Sequence, residues 1–477
     1  MRAQMTRSLR ALAFASTAAL LSGCLVGPNY VRPTAAAPPA FKEAEGWIKA
    51  QPADAGPRGD WWAVFDDPVL NDLEKKVVIS NQNLAAAEAA YRQAHEIVAE
   101  DRAQLFPTIT ANGSANRSKS STGSSTPVFS GARSSYQATV GASWAPDLWG
   151  RIRRTIEGAR ASAQASAADI ANAQLSAQSE LAIDYAQLRA YDELKRLTDI
   201  TIEGYRRSLT ITTNQYNAGI AAKSDLLNAQ TQLANTEAQS ADYVRQRQLM
   251  EHAIAVLAGE PPANLALAPG DWTLKPPEVP VMVPSVLLQR RPDIAAAERQ
   301  AADASAQIGV QVAAYYPTLN LTGQYGFSAS SLGNLFNASS NLWSFGGSAA
   351  ETLFDFGARH ARVSQARAAY DQAVAQYRQT VLTAFQQVED QLSNQRILAQ
   401  EAPFRTESSQ AADAAERIAL NQYRAGISIY TSVVVAQAAA YNARTSLIQN
   451  QLNQIVASIN LVTALGGGWS ASELPKD

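Results

Sequence analysis

Few side chains in this 477-residue sequence are spaced for chemistry. His95, His252 and His360 fall on separate helical stretches with no ligand spacing between them, so each reads as a surface or packing residue. There is no phosphate-cradling glycine loop, no nucleophile elbow and no zinc motif. Asp147 and Asp355 precede long helical stretches, where a carboxylate caps backbone N–H groups more readily than it acts as an acid or base. Asp225 falls in the first turn of a helix, where the helix dipole alone accounts for an acid. Repeated around a symmetric ring, it would instead line a constriction and favour cations. Nothing here builds an enzyme active site.

The single cysteine is the exception. It excludes an intrachain disulfide and a Cys-rich metal site. Arg2, Arg7 and Arg10 form a positive segment, Ala11 to Leu21 is a short apolar run, and Leu21-Ser22-Gly23-Cys24 follows. The run is too short for a permanent membrane span and reads as a cleaved signal peptide. Leu-Ser-Gly-Cys resembles a bacterial lipobox, which implies cleavage before Cys24 and acylation there. Leu25 rather than aspartate follows, and by the same resemblance this favours the outer membrane. The alternative is a buried cysteine behind a plain signal peptide. No basic face argues for nucleic acid, because the net charge is −2 and only 17% of residues are charged.

The elements that would carry such an anchored chain are unusual. Gly150 to Tyr216 contains no proline and only two internal glycines, Gly158 and Gly204. As one helix, its roughly 67 residues would reach about 100 Å. Asn83-Leu84-Ala85-Ala86-Ala87-Glu88 recurs 210 positions later as Asp293-Ile294-Ala295-Ala296-Ala297-Glu298. Leu105-Phe106-Pro107-Thr108 recurs as Tyr315-Tyr316-Pro317-Thr318, again 210 later, and Gln215-Tyr216-Asn217-Ala218-Gly219-Ile220 recurs 207 later as Gln422-Tyr423-Arg424-Ala425-Gly426-Ile427. The chain is therefore two copies of one unit with loops of unequal length.

Each unit reads as helix, two strands, long helix, turn, helix. The first helix is expected from Pro68 to Leu105, and Gly357 to Tyr423 is the second long one. The shorter helices of the first unit, about 38 and 35 residues, would stack end to end to match a long helix. Val374, Val381 and Val388, with Tyr370, Tyr377 and Ala384 beside them, form a heptad seam. Phe385 and Leu392 start a second stripe, as a helix with a neighbour on each side requires. Pro403 predicts a kink. Gly219 and Gly426 end the long helices, and Ser224 and Thr431 could cap the returning ones.

Thr108–Asn116, Ser135–Trp144, Thr318–Phe327 and Trp343–Ala349 alternate apolar and polar over about nine residues, the length of a transmembrane strand. A soluble sheet with one wet face would alternate in the same way. Phe106, Trp144, Trp149, Tyr315, Tyr316, Phe354 and Phe356 cluster where strands meet helices, as in a membrane-interface belt. Four strands cannot close a barrel with an open lumen, and lipid does not tolerate open edges. Copies of the chain must therefore complete it.

Further motifs carry a family resemblance. Cys24-Leu25-Val26-Gly27-Pro28-Asn29-Tyr30, then Trp61-Trp62 before Phe65-Asp66-Asp67-Pro68, then Leu287-Leu288-Gln289-Arg290-Arg291-Pro292-Asp293-Ile294 with Ala297-Glu298, resemble the TolC-like outer membrane factors, specifically the NodT-type efflux lipoproteins. The resemblance covers nearly the whole chain. It implies a mainly α fold with a small transmembrane β part, closing as a homotrimer into a 12-stranded β-barrel and a helical periplasmic tunnel. It implies a periplasmic adaptor and an inner-membrane resistance-nodulation-division pump as partners, outer-membrane lipid around the barrel, and no cofactor beyond the covalent lipid on Cys24.

The expected division follows. Residues 1–23 are signal and 24–67 an acylated leash and equatorial wrap. Residues 68–105, 148–258, 285–314 and 356–464 are helical barrel, and 106–147 and 315–355 are membrane strands and loops. Residues 259–284, holding seven of the 21 prolines, and 465–477 are equatorial. Adaptor docking falls on Ala218, Gly219, Ile220, Ala425, Gly426 and Ile427. Asp225, Tyr216, Tyr423 and Arg424 are gate candidates, although Ser432 stands where a second acidic ring would be. The implied function is a passive efflux duct for small toxic compounds. The alternatives are a duct for secreted polypeptides and a lipid-anchored coiled-coil spacer without a pore.

Overall fold

The computed structural model describes residues 25–43, 60–119, 132–276 and 289–475. The signal segment, Cys24, Leu287 and Leu288 lie outside the described residues. In chain order the elements are α1 (Pro68–Ser80), α2 (Gln82–Ala103), β1 (Thr108–Ser118), β2 (Arg133–Trp144), α3 (Arg151–Asn217), α4 (Lys223–Leu257), α5 (Pro292–Ala313), β3 (Thr318–Ala329), β4 (Asn341–Ala350), α6 (Ala358–Arg424) and α7 (Tyr430–Ala464). The long helices α3 and α6 each have 67 residues, about 100 Å of rise.

The repeat extends to backbone conformation. Gly150 and Gly357, Gly219 and Gly426, and Gly259 and Gly466 are matched pairs with positive φ. Arg206 reaches Glu237 at 2.8 Å between α3 and α4, and Asp413 receives Arg444 at 2.7 Å at the same two positions of α6 and α7. The rung is kept while its charges are exchanged.

The helix expected to run unbroken from Pro68 to Leu105 divides at Asn81. Its side chain accepts from the Asn83 and Leu84 N–H groups and so caps α2. Its amide donates to the Leu257 carbonyl at the end of α4. Arg291 repeats this joint by donating to the Ala464 carbonyl at the end of α7. Backbone meets backbone there, since a Cβ on Gly259 would lie 2.1 Å from the Ser80 carbonyl oxygen and one on Gly466 2.1 Å from that of Arg290. The stacked pairs are therefore α2 with α4 and α5 with α7, while α1 lies against the middle of α3.

Leu70, Leu73 and Val77 of α1 form the largest core with Trp61, Trp62, Leu274 and the stretch of α3 from Leu175 to Ala190. Burying such side chains is worth roughly 1.5–3 kcal/mol each. The expected seam on α6 is a second core, with Tyr377, Val381, Ala384, Phe385, Val388 and Leu392 buried against Ile294 and Leu461. Around the middle of α3, Arg189, Asp192, Arg247 and Glu251 join in one ion-paired network. It fixes the proline-rich segment through the Leu267 and Ala268 carbonyls and the Gly270 N–H.

Two expectations at helix ends are corrected. Ser224 and Thr431 are not caps. The cap positions are Ala222 and Ile429, which bond through no side chain, because the tight preceding turns start the helices two residues earlier. Gly150 and Gly357 hold the cap positions of the long helices in a left-handed conformation. Asp147 still accepts from the Ile152 and Arg153 N–H groups, and Asp355 from those of Gly357 and Arg359, but from outside the cap. Pro403, where the sequence predicts a kink, lies inside the single helix α6. Asn450 and Gln454 of α7 donate to the Leu398 carbonyl in the turn before it, tying that turn to α7.

Candidate functional site

The four strands form one antiparallel sheet in the order β1-β2-β3-β4. Its registers align apolar with apolar: Ala111 faces Val140, Val140 faces Tyr325, and Tyr325 faces Trp343. The intervening row is Thr110, Gly141, Gln324 and Ser344. One face thus presents Ile109, Val140, Tyr325, Trp343 and Phe345, all exposed, and the other is polar. A single-residue slip in any pairing would destroy this segregation. β1 and β4 lie at open edges. Among the described residues, no helix is long and apolar enough to cross a membrane.

The predicted aromatic residues gather where strands meet helices, and they are held there by polar contacts. Trp144 donates its indole N–H to the Leu105 carbonyl, and Trp149 donates to the Pro317 carbonyl while stacking on Tyr316 at 4.8 Å. Arg359 lies over the Tyr315 ring. Phe106, Phe354 and Phe356 are exposed, as suits rings with an apolar body at a membrane boundary.

An extended strap from Leu25 enters this same region. Val26 donates to the Trp149 carbonyl. The buried Arg154 guanidinium donates to the Val26 and Gly27 carbonyls and the Asn29 side chain, and it pairs with Glu157. Gly27 lies so close to Gly309 that a Cβ there would come within 2.5 Å of its Cα. Tyr30 donates to the Glu298 carboxylate, and farther along Phe41 packs edge-on against Phe385. Arg154 is a site residue that the sequence reading missed, since along the helix it shows only an ordinary partner in Glu157 and its strap partners lie more than 120 residues away.

At the opposite end α3 and α6 finish in identical turns. Ile220 donates to the Gln215 carbonyl and Gly219 to that of Tyr216; Ile427 and Gly426 repeat these bonds to Gln422 and Tyr423. This is the Schellman arrangement, which needs a left-handed residue, and glycine supplies it at both tips. Ala218 and Ala425 occupy the cap positions. Ile220 and Ile427 are 77% and 76% exposed, so each tip offers a bare aliphatic side chain, joined at the second tip by the exposed Ile429.

The gate candidates do not converge on one point. Tyr423 is buried with Ala229, Tyr430 and Val433, and its hydroxyl lies 3.3 Å from the Thr212 hydroxyl. Tyr216 and Arg424 are exposed, and Asp225 is half-buried in the first turn of α4. Tyr430, which the sequence reading passed over, packs tilted against Tyr423 with ring centroids 5.1 Å apart. Burial, then the neighbouring Tyr423, Tyr205 and Asp225, pushes its phenol up to about 12. Among the described residues no cluster could hold a metal ion.

The outer membrane efflux protein family profile matches residues 74–260 and 283–467, one span per repeat. A probable efflux pump outer membrane protein of Pseudomonas putida, TtgC, is 32% identical over 98% of this chain and 96% of its own length. A solvent efflux pump outer membrane protein of Pseudomonas putida, SrpC, is 29% identical over 95% and 97%. The solved outer-membrane channel OprN superimposes with a TM-score of 0.86 at 30% identity, over 94% of this chain and all of that one.

Proposed function

The chain belongs to the outer membrane efflux protein family and is an outer-membrane efflux channel, and from that premise we propose that it works as a passive trimeric duct. Three copies join their four strands into a 12-stranded barrel. The long helices continue the lumen across the periplasm, and the duct catalyses nothing. The observation that carries this reading is the single sheet with one continuous apolar face and two open edges, which lipid does not tolerate unless further copies close it.

The cargo is small toxic compounds, in keeping with solvent and antibiotic efflux in the names of relatives. An inner-membrane resistance-nodulation-division pump selects them, and a periplasmic adaptor joins pump to duct. The adaptor docks on the tips, where Ala218-Gly219-Ile220 and Ala425-Gly426-Ile427 present matched turns with bare isoleucines. Asp225, Tyr216, Tyr423 and Arg424 surround the same end and form the periplasmic gate, Tyr423 through its packing and the others through exposed or half-buried polar groups. An acyl chain on Cys24 anchors the strap. Supporting this, Leu25 abuts Gly150 at the junction of strands and helices, where the membrane surface would lie.

Gly219→Trp combined with Gly426→Trp tests the docking reading. Filling both turns should remove 2 kcal/mol or more of docking energy, about a 30-fold loss of affinity. Export in cells should fall accordingly, with trimer and membrane location intact. Normal drug resistance in that double variant would contradict tip docking.

A further inference from the structure

The two hairpins end differently at the side of the sheet farthest from the helices. Thr108 to Trp144 and Thr318 to Ala350 contain no acidic residue. Their only charges, Arg117, Lys119 and Arg133, stand around the β1–β2 connection, and the β3–β4 connection has none. It carries Leu332, Leu335 and Phe336 instead. We propose that this outer rim docks on anionic lipid of the membrane's outer leaflet, with Leu332 and Phe336 in the acyl region and Arg117 at the headgroups. The proposal rests on the reading of the apolar sheet face as lipid-facing.

Phe336 continues that face. Side chains alternate along β3, and Tyr325 and Phe327 both belong to its apolar side. The Phe327 ring meets Tyr325 edge-on at 6.1 Å and Phe336 edge-on at 5.6 Å. The loop from Ser330 to Ser340 therefore folds over the apolar side of the sheet. Phe327 stands nine residues past Thr318 (327 − 318), about 30 Å along the strand. At a barrel tilt of about 40° this is about 23 Å of depth, close to the roughly 25 Å apolar band of such barrels. Trp144, Tyr315 and Tyr316 mark one boundary of that band, so Phe336 falls at the other.

The loop satisfies its own polar groups, as a segment leaving water must. The Asn334 N–H donates to the Ser331 carbonyl, that of Asn337 to Asn334 and that of Ser340 to Asn337. The Ser340 hydroxyl adds a bond to the Asn334 carbonyl at 2.8 Å. Leu335 is buried, while Leu332 and Phe336 are 67% and 72% exposed. A folded loop thus holds two large apolar side chains outward, continuous with the apolar sheet face. Arg117 ends the apolar row of β1, after Ala111, Gly113 and Ala115. A cation there lays its stem along acyl chains and lifts its guanidinium to the headgroups. With no carboxylate in either hairpin, the rim's charge favours an anionic lipid.

Spin labels on introduced cysteines test the docking in the full-length protein, reconstituted in vesicles of phosphatidylcholine and phosphatidylglycerol. The natural chain, taken through the same labelling, gives the background from Cys24. Phe345→Cys on the apolar face and Ser344→Cys on the polar face are the references. Labels at Leu332→Cys and Phe336→Cys should respond about threefold more to oxygen than to a water-soluble nickel chelate, as at Phe345→Cys. A nickel response like that of Ser344→Cys would overturn the insertion. So would a weak response to both, which would place a partner subunit over the loop. References that respond alike would instead overturn the lipid-facing sheet itself. For the headgroups, the natural chain should immobilise spin-labelled phosphatidylglycerol about twofold more than spin-labelled phosphatidylcholine. Arg117→Gln combined with Lys119→Gln should remove most of that preference, and a preference unchanged in the variant would overturn the headgroup contact.

Discussion

Glu74 shows what a single residue's surroundings can hide. It lies on α1, fully buried on the face that also carries Leu70, Leu73 and Val77, with no hydrogen-bond partner for either carboxylate oxygen among the described residues. Burial pushes its pKa up to about 9 from 4.5. Between those values the folded chain holds a proton that the unfolded chain releases. Its contribution to stability is therefore full at the acid end and is lost as pH rises through that window. Glu74→Gln should flatten the melting temperature between about pH 5 and 9 and raise it by several degrees near pH 9. An unchanged pH dependence in the variant would sink this account. In the sequence Glu74 looks like an ordinary solvated helix charge, because the core into which its helix face packs is assembled from other segments. Asp147 and Asp355 were more legible, since the backbone groups they cap lie only a few residues away.

At the scale of elements, the sequence pattern was read furthest where the period was long and unbroken. Both 67-residue helices lie within a residue of their expected ends, and the strands within two or three, because each period runs on unbroken past the isolated breakers in it, Pro403 among them. The misreadings fall at joints. Ser80-Asn81-Gln82 reads as continuous helix until the Leu257 carbonyl, 176 residues away, gives the Asn81 amide a reason to turn outward. The strap was legible as a leash but its course was not. From Leu25 to Glu43 it travels from the strand junction to Arg396 on α6. That helix distance is about 57 Å at 1.5 Å per residue, and 18 extended steps reach at most about 59–65 Å. A strap so nearly taut fixes where its front end sits. The membrane-extracted protein should therefore show, by intact mass, a chain beginning at acylated Cys24. An unprocessed or unacylated N-terminus would contradict the anchor.

At the scale of the whole molecule, each repeat supplies half of a wall and neither closes it. The apolar sheet face, the paired long columns and the matched tips all follow from duplicating one unit. What cannot be seen in a single repeat is where the wall ends, because that is set by copies meeting edge to edge. The central claim is that the closed assembly conducts. Purified trimer placed in a planar lipid bilayer should show discrete single-channel conductance, with a preference for cations that Asp225→Ala reduces. A correctly assembled trimer that passes no current, either as the natural chain or as Asp225→Ala, would contradict the duct.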